Sequence, residues 1–223
     1  MKEYAIIVAG GKGTRLQSAL PKQFLLLNGK PILLHTIEAF YGYSDTIIVI
    51  LVLPEDNFKI WNSIVDDHQF TRLVILQKGG TTRFQSVKNG LEKIEGEGLV
   101  AIHDGVRPLV STAIIQRSFQ LASINKTAVA AVNLKESIRE TDGENSKALD
   151  RSRYQIIQTP QTFDVELIKK AYLIQEDPSL TDDASVAERN GQTISLFEGG
   201  YDNIKITTPE DLVIAEALLK SRN

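Results

Sequence analysis

An apolar segment that runs directly into a glycine-rich, cationic loop constrains the fold of this chain more than any other feature. Residues 4–9 read Tyr-Ala-Ile-Ile-Val-Ala, which is typical of a buried strand, and Gly10-Gly-Lys-Gly-Thr-Arg15 follows without a break. Glycines let backbone N–H groups approach phosphate oxygens closely, because no Cβ stands in the way. Lys12, Arg15 and the nearby Lys22 add the positive charge that a triphosphate attracts. The segment therefore predicts a strand and loop that hold a nucleoside triphosphate while its α-phosphorus is attacked.

Two common phosphate-binding loops do not fit this segment. A P-loop closes with Lys-Ser or Lys-Thr, and no such pair follows the glycines here. The dinucleotide-binding fingerprint needs a third glycine at the start of the following helix, but Thr14, Arg15 and Leu16 occupy those positions. A plain strand-to-helix turn is the structural alternative for the glycines, and the spacing of Arg15 and Lys22 favours the functional interpretation.

Farther along the chain, apolar runs of strand length alternate with segments of helical period, as in α/β folds. The predicted strands span residues 4–9, 46–53, 72–77, 99–103 and 128–132. The predicted helices span residues 31–40, 55–67, 82–94 and 112–124. A last helix begins after Thr208, which is followed by Pro209 at a favourable first position and by two acidic residues. This order predicts one α/β domain, residues 1–223, with a mostly parallel sheet and helices on both of its faces.

Three loops that follow predicted strands carry the polar and glycine residues of interest. They are the glycine loop, the 79–83 loop and the turn after His103-Asp104. Ligands of such sheets bind at the carboxyl ends of the strands. We therefore expect the three loops to meet around one site.

The alternating pattern breaks in residues 133–158. This segment is polar, with short alternating pieces at Ser137-Ile138-Arg139 and at residues 154–158, so it predicts a β-arm that leaves the main sheet. An arm of this kind cannot bury itself alone, so we expect it to contact a second subunit in a homodimer. A hairpin that folds back on its own domain is the alternative.

The composition is that of an ordinary globular protein, with 42% hydrophobic and 24% charged residues in 223. A net charge of −3 provides no basic field, so nucleic acid is not an expected partner. The chain has no cysteine, which excludes disulfides and thiolate chemistry, and its three histidines are scattered. The N-terminus does not read as a signal peptide, and the longest apolar run, residues 47–53, is too short to cross a bilayer. We therefore expect a soluble, cytoplasmic protein with no membrane partner.

Several polar residues have both a functional and a purely structural interpretation. Asp104 can bind a metal ion or a hydroxyl group and Arg107 can bind a phosphate, or the two can form an ion pair that fixes their turn. The 79–83 loop with Ser86 can lie against a base or ribose, or can be a capped strand-to-helix turn. His103 is expected to be a packed residue at a strand end.

The remaining candidates have simple structural explanations when each is taken alone. Asp150-Arg151-Ser-Arg153 reads as a solvated face of the arm. Thr181, followed by two acids, reads as the cap of a helix. Lys205 reads as a surface residue on a short strand.

Taken in order, these segments closely resemble the 2-C-methyl-D-erythritol 4-phosphate cytidylyltransferases of isoprenoid synthesis over nearly the whole chain. The motifs that carry the resemblance are Ala9-Gly-Gly-Lys-Gly-Thr-Arg15, Pro21-Lys-Gln-Phe24, Gly80 with Arg83 and Ser86, His103-Asp-Gly-Val-Arg-Pro108, Asp150-Arg151, Gln158-Thr-Pro-Gln161, Thr181-Asp-Asp-Ala-Ser185 and Asn203-Ile-Lys-Ile-Thr207. One such motif is weak evidence, but the ordered series is specific for cytidylyltransferases. The resemblance implies a Rossmann-like three-layer sandwich, CTP as a substrate, and a divalent cation, Mg²⁺.

The resemblance also implies roles for individual residues. Arg15 and Lys22 match the pair that stabilises the transition state at the α-phosphorus, and Arg151 and Lys205 match residues that position the methylerythritol phosphate. The implied nucleotide-binding residues are Ala9, Gly10, Gly11, Gly13, Gly80, Ser86 and Asp104. The implied acceptor-binding residues are Arg107, Ser137, Thr159 and Thr181. Asp104 is also the implied protein ligand of the metal ion, which would be bound mainly by the phosphates of CTP. The resemblance further implies a homodimer with exchanged arms, in which Arg151 would act in the neighbour's site.

Two positions depart from the family pattern. Glu136-Ser137 replaces the usual Asp-Thr, and Thr81 replaces an acidic residue that often follows the second glycine of the 79–80 loop. The departures leave ribitol-5-phosphate cytidylyltransferase as an alternative, since that enzyme shares the chemistry and several motifs. A CTP-binding regulator without turnover is an alternative from another class. The sugar-1-phosphate nucleotidylyltransferases are usually longer, and a Rossmann oxidoreductase would need the missing third glycine.

Overall fold

The computed structural model describes residues 1–11 and 20–222. Four residues of the predicted phosphate loop, Lys12, Gly13, Thr14 and Arg15, therefore lie outside the described residues. The strands are β1 (Glu3–Val8), β2 (Leu26–Leu27), β3 (Lys30–Pro31), β4 (Ile48–Leu53), β5 (Val74–Lys78), β6 (Leu99–Asp104), β7 (Thr127–Asn133), β8 (Ile138–Asp142), β9 (Asn145–Leu149), β10 (Gln155–Asp164) and β11 (Leu196–Glu198). The α-helices are α1 (Ile32–Tyr43), α2 (Phe58–Asp67), α3 (Arg83–Leu91), α4 (Thr112–Asn125), α5 (Val165–Ala171), α6 (Asp183–Arg189) and α7 (Pro209–Lys220).

Seven of these strands form the central sheet, in the order β11-β7-β10-β6-β1-β4-β5. Every neighbouring pair is parallel except those of β10, which runs antiparallel to both β6 and β7. Val8, the last residue of β1, pairs with Asp104 on one side and with Val52 on the other. The mostly parallel sheet is confirmed, and this register places the loop after β1 between the ends of β6 and β4.

The sheet carries a hydrophobic cluster on each face, which makes the domain a three-layer α/β sandwich. Alternate residues of β1 divide between the two clusters: Ile7 packs with α1, α2 and α4, and Ile6 packs with α3, α5 and α6. Both side chains are completely buried, and each such burial contributes about 2 kcal/mol to the hydrophobic free energy. A third, smaller cluster packs α7 against Leu27, Val106 and Leu109.

The predicted elements agree with the observed ones to within a few residues, with one split helix. Residues 55–67 form a 3₁₀ turn, Glu55–Asn57, and then α2. The predicted cap of α3 is confirmed, because the Thr82 hydroxyl accepts a hydrogen bond from the backbone N–H of Gln85 at 3.1 Å. Thr208 likewise caps α7 in a complete capping box with Asp211.

The arm is shorter than the predicted segment 133–158. Strands β8 and β9 pair with each other in a two-stranded sheet, as expected for an arm. Residues 155–157, however, pair with β7 and begin a ten-residue strand of the central sheet. The arm therefore spans residues 134–154. Strand β10 belongs to the central sheet, but its polar composition does not identify it as a core strand in the sequence.

Two local predictions are wrong. Asp182, not Thr181, caps α6, since its carboxylate accepts from the backbone N–H of Ser185 at 2.9 Å in a capping box. Lys205 lies in an irregular segment instead of a strand. Within the described residues, no helix combines the length and the apolarity needed to span a bilayer.

Candidate active site

A cleft opens at the carboxyl ends of β6, β1, β4 and β5. The described residues that line it are Val8–Gly11, Pro21–Gln23, Pro54, Asp56, Asn57, Gly80–Arg83, Ser86, Asp104, Val106 and Lys205. Gly10 and Gly11 of the glycine loop, the 79–83 loop and the turn after Asp104 thus meet around one site, as the strand order predicts.

The start of the glycine loop is tied to the segment that carries Lys22. Ala9 extends the sheet by donating its N–H to the Val52 carbonyl at 2.9 Å. The Gln23 side chain is almost fully buried and donates to the Ala9 carbonyl at 2.8 Å. An added Cβ at Gly11 would lie 3.5 Å from Cε of Lys22, so the lysine side chain passes directly beside the loop backbone. These contacts bring the Lys22 ammonium to the backbone that the sequence predicts to bind phosphate.

The 79–86 loop is held by its own hydrogen bonds. The Ser86 hydroxyl accepts from the Gly80 N–H at 3.1 Å and donates to the Thr82 carbonyl at 2.8 Å. An added Cβ at Gly80 would come within 2.2 Å of Cβ of Gln85, so glycine is required at that position. Ser86 therefore shapes the loop wall that faces Gly10.

Asp104 lies at the cleft floor with three cationic side chains around its carboxylate. Lys205 Nζ lies 3.0 Å from Oδ2, Arg107 Nε lies 3.4 Å from the same oxygen, and Arg83 Nε lies 3.6 Å from Oδ1. Burial alone would raise the pKa of Asp104, but the three cations outweigh burial and hold that pKa well below its ordinary value. The Asp104 carboxylate is therefore ionised at any physiological pH.

Arg83 connects the cleft floor to a buried acid on α6. Its two terminal nitrogens donate to the Asp183 carboxylate at 2.9 and 2.6 Å, and Asp183 is fully buried. The Tyr172 hydroxyl donates to Asp183 at 2.6 Å. Burial disfavours the Arg83 cation, but the Asp183 carboxylate raises the pKa of Arg83 above its ordinary value. Three cations and two carboxylates leave one net positive charge in this group, on the side of the cleft where Lys205 is exposed.

Arg107 faces the protein interior and joins Asp104 to the Lys205 segment. It is 9% exposed, and its Nη1 donates to the Asn203 carbonyl at 2.8 Å. The Asn203 amide donates to the Thr159 carbonyl at 2.8 Å, and the Thr159 hydroxyl accepts from the Asp104 N–H at 3.1 Å. This closed ring of contacts fixes the position from which Lys205 reaches the cleft.

His103 is a packed residue, as predicted from the sequence. It is completely buried, its Nε2 lies 3.3 Å from the Arg107 carbonyl oxygen, and its ring meets Phe40 edge-on at 5.2 Å. Burial lowers the pKa of His103 to about 3, so the imidazole is neutral.

Comparison with known proteins identifies the family to which this chain belongs. A family model described as 2-C-methyl-D-erythritol 4-phosphate cytidylyltransferase matches residues 4–221. A protein of that name from Bacteroides thetaiotaomicron is 48% identical over 219 residues, which are 98% of this chain and 100% of the relative. Another, from Clostridium acetobutylicum, is 39% identical over 225 residues, with 98% of each chain covered. The chain belongs to this family.

Solved structures agree with the fold of this cytidylyltransferase. The crystal structure of 4-diphosphocytidyl-2C-methyl-D-erythritol synthase from Anaerococcus prevotii matches with a TM-score of 0.85 and 30% identity, covering 98% of this chain and 96% of the other. A 2-C-methyl-D-erythritol 4-phosphate cytidylyltransferase from Thermus thermophilus matches with a TM-score of 0.78 and 27% identity, covering 99% and 100%. The Rossmann-like sandwich expected from the resemblance is confirmed.

Five of the described residues that the sequence predicts for the site lie away from the cleft lining, and one of them is Arg107, which faces the interior. Ser137 and Arg151 are exposed on the arm, and Arg151 donates to the Lys135 carbonyl. Thr181 is exposed before α6, and Thr159 is buried behind Asp104. Within the part of the chain that the structure describes, one subunit thus brings together the nucleotide side of the predicted site but not the arm residues.

The sequence also carried a site residue whose role was not predicted. The sequence places Arg83 only within a motif, although Arg83 lines the cleft and its Nε lies 3.6 Å from the Asp104 carboxylate. Its partner Asp183 lies 100 residues away in the chain, so local sequence gives no sign of the pair. The one available signal was that both residues belong to motifs of the family resemblance.

Proposed function

We propose that this cleft transfers CMP from CTP to 2-C-methyl-D-erythritol 4-phosphate, giving 4-diphosphocytidyl-2-C-methyl-D-erythritol and pyrophosphate in the non-mevalonate route to isoprenoids. The observation that carries the proposal is the convergence of cations from distant segments. Lys22 lies beside Gly11, while Arg83 and Lys205 lie around Asp104. Fixed positive groups of this kind stabilise the charge that develops on a phosphoryl group during transfer.

In the proposed reaction, an oxygen of the acceptor's 4-phosphate attacks the α-phosphorus of CTP in line, and the bond to the β-phosphate breaks to release pyrophosphate. The attacking oxygen is already an anion, so no general base has to remove a proton. The enzyme instead has to align two polyanions that repel each other. We assign Lys22 and Arg15 to the α-phosphate, with Arg15 taken from the family resemblance because it lies outside the described residues.

The nucleotide and acceptor roles follow the same division. Ala9, Gly10, Gly11, Gly13, Gly80 and Ser86 are proposed to surround CTP, mainly through backbone groups. Lys205 is proposed to reach the acceptor phosphate, because its long side chain is 42% exposed while its backbone is fixed. Arg107, which the resemblance assigns to the acceptor, is proposed to act by holding Asp104 and the Lys205 segment in place.

The single carboxylate that Asp104 contributes to the cleft is consistent with a divalent cation that is bound mainly by the substrate phosphates. No group of three or more acidic or histidine side chains suited to a metal occurs among residues 1–11 and 20–222. Mg²⁺ characteristically uses one or two carboxylates together with substrate phosphates and water. Asp104 is the proposed protein ligand, and Mg²⁺ would supply further neutralisation of the triphosphate charge.

We further propose a homodimer in which each arm brings Arg151 to the neighbour's site, with Ser137, Thr159 and Thr181 assigned to the surroundings of the acceptor. The support is that, among the strands of the described residues, β8 and β9 pair with each other and with no other strand, and that Tyr154, Ile156 and Ile157 at the arm's base are exposed. A cytoplasmic location is proposed with the rest, and the lack of cysteine favours it.

The test is a side-by-side assay of CTP-dependent pyrophosphate release with 2-C-methyl-D-erythritol 4-phosphate and with ribitol 5-phosphate. The proposal predicts release with the first acceptor at a much higher kcat/KM. Preference for ribitol 5-phosphate would assign the enzyme to that acceptor. Binding of CTP without release on either acceptor would indicate a regulator.

A further inference from the structure

The charge along the cleft changes from one end to the other. The cleft crosses the ends of β6, β1, β4 and β5, a span of three strand spacings, or about 14 Å. Lys205 and Lys22 lie at the β6 and β1 end. Among the described residues, the loops after β4 and β5 contribute Asp56, Asn57 and Thr81 to the lining, together with Arg83, whose charge is paired with the buried Asp183. A bound triphosphate is drawn to the cations, so the base of the same nucleotide extends toward the end that is neutral or acidic.

At that end, a relay of hydrogen bonds fixes the Thr81 hydroxyl. The Thr81 N–H and the Thr81 hydroxyl both donate to Oε1 of Gln85, at 3.0 and 2.8 Å. The other end of the Gln85 amide donates to the Glu176 carboxylate at 2.9 Å. A carboxylate only accepts and a backbone N–H only donates, so the Gln85 amide has a single possible orientation. The space above Gly80, which has no Cβ, is what lets Gln85 lie across the loop.

These hydrogen bonds determine whether the Thr81 hydroxyl can donate to a ligand or only accept from it. A hydroxyl has one hydrogen to donate and two lone pairs that accept. Because the hydrogen of Thr81 is directed to Gln85, only lone pairs remain for a ligand. Thr81 is exposed, so those lone pairs are accessible from the cleft.

Cytosine and uracil differ in this respect at position 4. Cytosine carries an amino group that donates, whereas uracil carries a carbonyl oxygen that only accepts. We propose that the Thr81 hydroxyl, held as an acceptor by Gln85 and Glu176, reads the 4-amino group of CTP and discriminates against UTP. This inference rests on the proposed function and names the group that selects its nucleotide.

Asp56 is the competing acceptor in the same cleft. Its carboxylate also lines the region after β4 and would favour an amino group for the same reason. Asp56→Asn is therefore the matched control for variants of Thr81.

The experiment measures kcat/KM for CTP and for UTP with a saturating acceptor in four variants. Thr81→Val removes the hydroxyl at constant shape and should lower the CTP:UTP ratio about tenfold, the effect of one hydrogen bond. Thr81→Ser keeps the hydroxyl and should keep the ratio. Gln85→Leu frees the hydroxyl to donate, so it should raise kcat/KM for UTP itself, which general damage to the site cannot do. Asp56→Asn should leave the ratio unchanged.

An unchanged ratio in Thr81→Val would overturn the inference, as would a ratio that falls in Asp56→Asn alone. A fall in kcat/KM for both nucleotides in Gln85→Leu would overturn the role of the relay. Calorimetric binding of CTP and UTP to the same variants separates this inference from the proposed function. If wild-type protein releases no pyrophosphate with either acceptor, the proposed function fails, and the ratio of the two dissociation constants still decides the role of Thr81.

Discussion

Asp183 beside the cleft is fully buried and accepts three hydrogen bonds, whereas residues 139–148 of the arm are exposed along both strands. The cleft satisfies its charged groups within one subunit, so the positions of Arg83 and Asp104 are set before any ligand arrives. The arm is held by its own ladder of hydrogen bonds and by exposed contacts such as Lys135 over the Tyr201 ring at 3.7 Å, and a two-stranded ribbon of this kind is marginal alone in water. The comparison teaches that the nucleotide side is preorganised by the domain, while the arm depends on a second surface.

The largest effect on stability is expected from Asp183→Asn. The substitution keeps the shape of the side chain but leaves the Arg83 guanidinium without its buried counter-charge. Breaking one partner of such a pair costs about 3 kcal/mol or more of unfolding free energy. Urea denaturation followed by circular dichroism measures the loss.

The matched control is Asp177→Asn, which removes the acid of an exposed pair with Arg189. Asp177→Asn should lower the free energy of unfolding far less than Asp183→Asn does. Equal losses of unfolding free energy in the two variants would contradict the conclusion that the cleft is preorganised.

The largest effect on turnover is expected from Lys22→Ala and from Arg15→Ala. Each substitution removes a cation that we propose binds the α-phosphate, and loss of one such contact lowers kcat by about two to three orders of magnitude. Steady-state pyrophosphate release measures the change. Lys59→Ala, on the exposed face of α2, should have normal turnover. Near-normal turnover in a correctly folded Arg15→Ala protein would refute its role.

A smaller, acceptor-specific effect is expected from Lys205→Ala and Arg151→Ala. In the proposed arrangement each removes a charged hydrogen bond to the acceptor phosphate, which corresponds to a rise of roughly 10- to 100-fold in the acceptor KM. The KM for CTP should change little. Arg153→Ala, in the same 3₁₀ turn as Arg151, is the control and should behave as wild type. Unchanged acceptor kinetics would remove the tested residue from the site.

The smallest effect is expected in the arm hairpin. Thr141→Ala replaces an exposed residue of β8 whose side chain faces solvent. The unfolding free energy should change by no more than about 0.5 kcal/mol, and kcat should stay the same. A loss of unfolding free energy as large as that of Asp183→Asn would contradict the exposed position of Thr141.

The sequence predicts most of the framework because the framework depends on local pattern. The strands before Gly10 and Asp104 are continuous apolar runs, and the helix caps Thr82 and Thr208 have their signals within three residues. The convergence of the loops follows from strand order alone. These features need no knowledge of distant partners.

The sequence fails where a polar residue is satisfied by a distant part of the chain. Strand β10 contains Gln158, Thr159 and Gln161, which are buried because Gly200, Asp104 and Asp182 supply their hydrogen bonds. A polar run of this kind reads as a surface arm. The Arg83–Asp183 pair was missed for the same reason, since an arginine at a helix start is normally solvated.

The arrangement of cleft and arm is tested most directly by a mixed dimer. One subunit carries Lys22→Ala and the other carries Arg151→Ala, with different affinity tags so that the heterodimer is purified after co-expression. Activity is measured at an acceptor concentration far below KM, where the defect of Arg151→Ala is expressed. If each arm serves its neighbour, one of the two sites combines an intact Lys22 with an intact Arg151, and the heterodimer has about half of wild-type activity. If each arm serves its own cleft, both sites carry a defect, and activity no higher than that of the two single-variant homodimers would contradict the account.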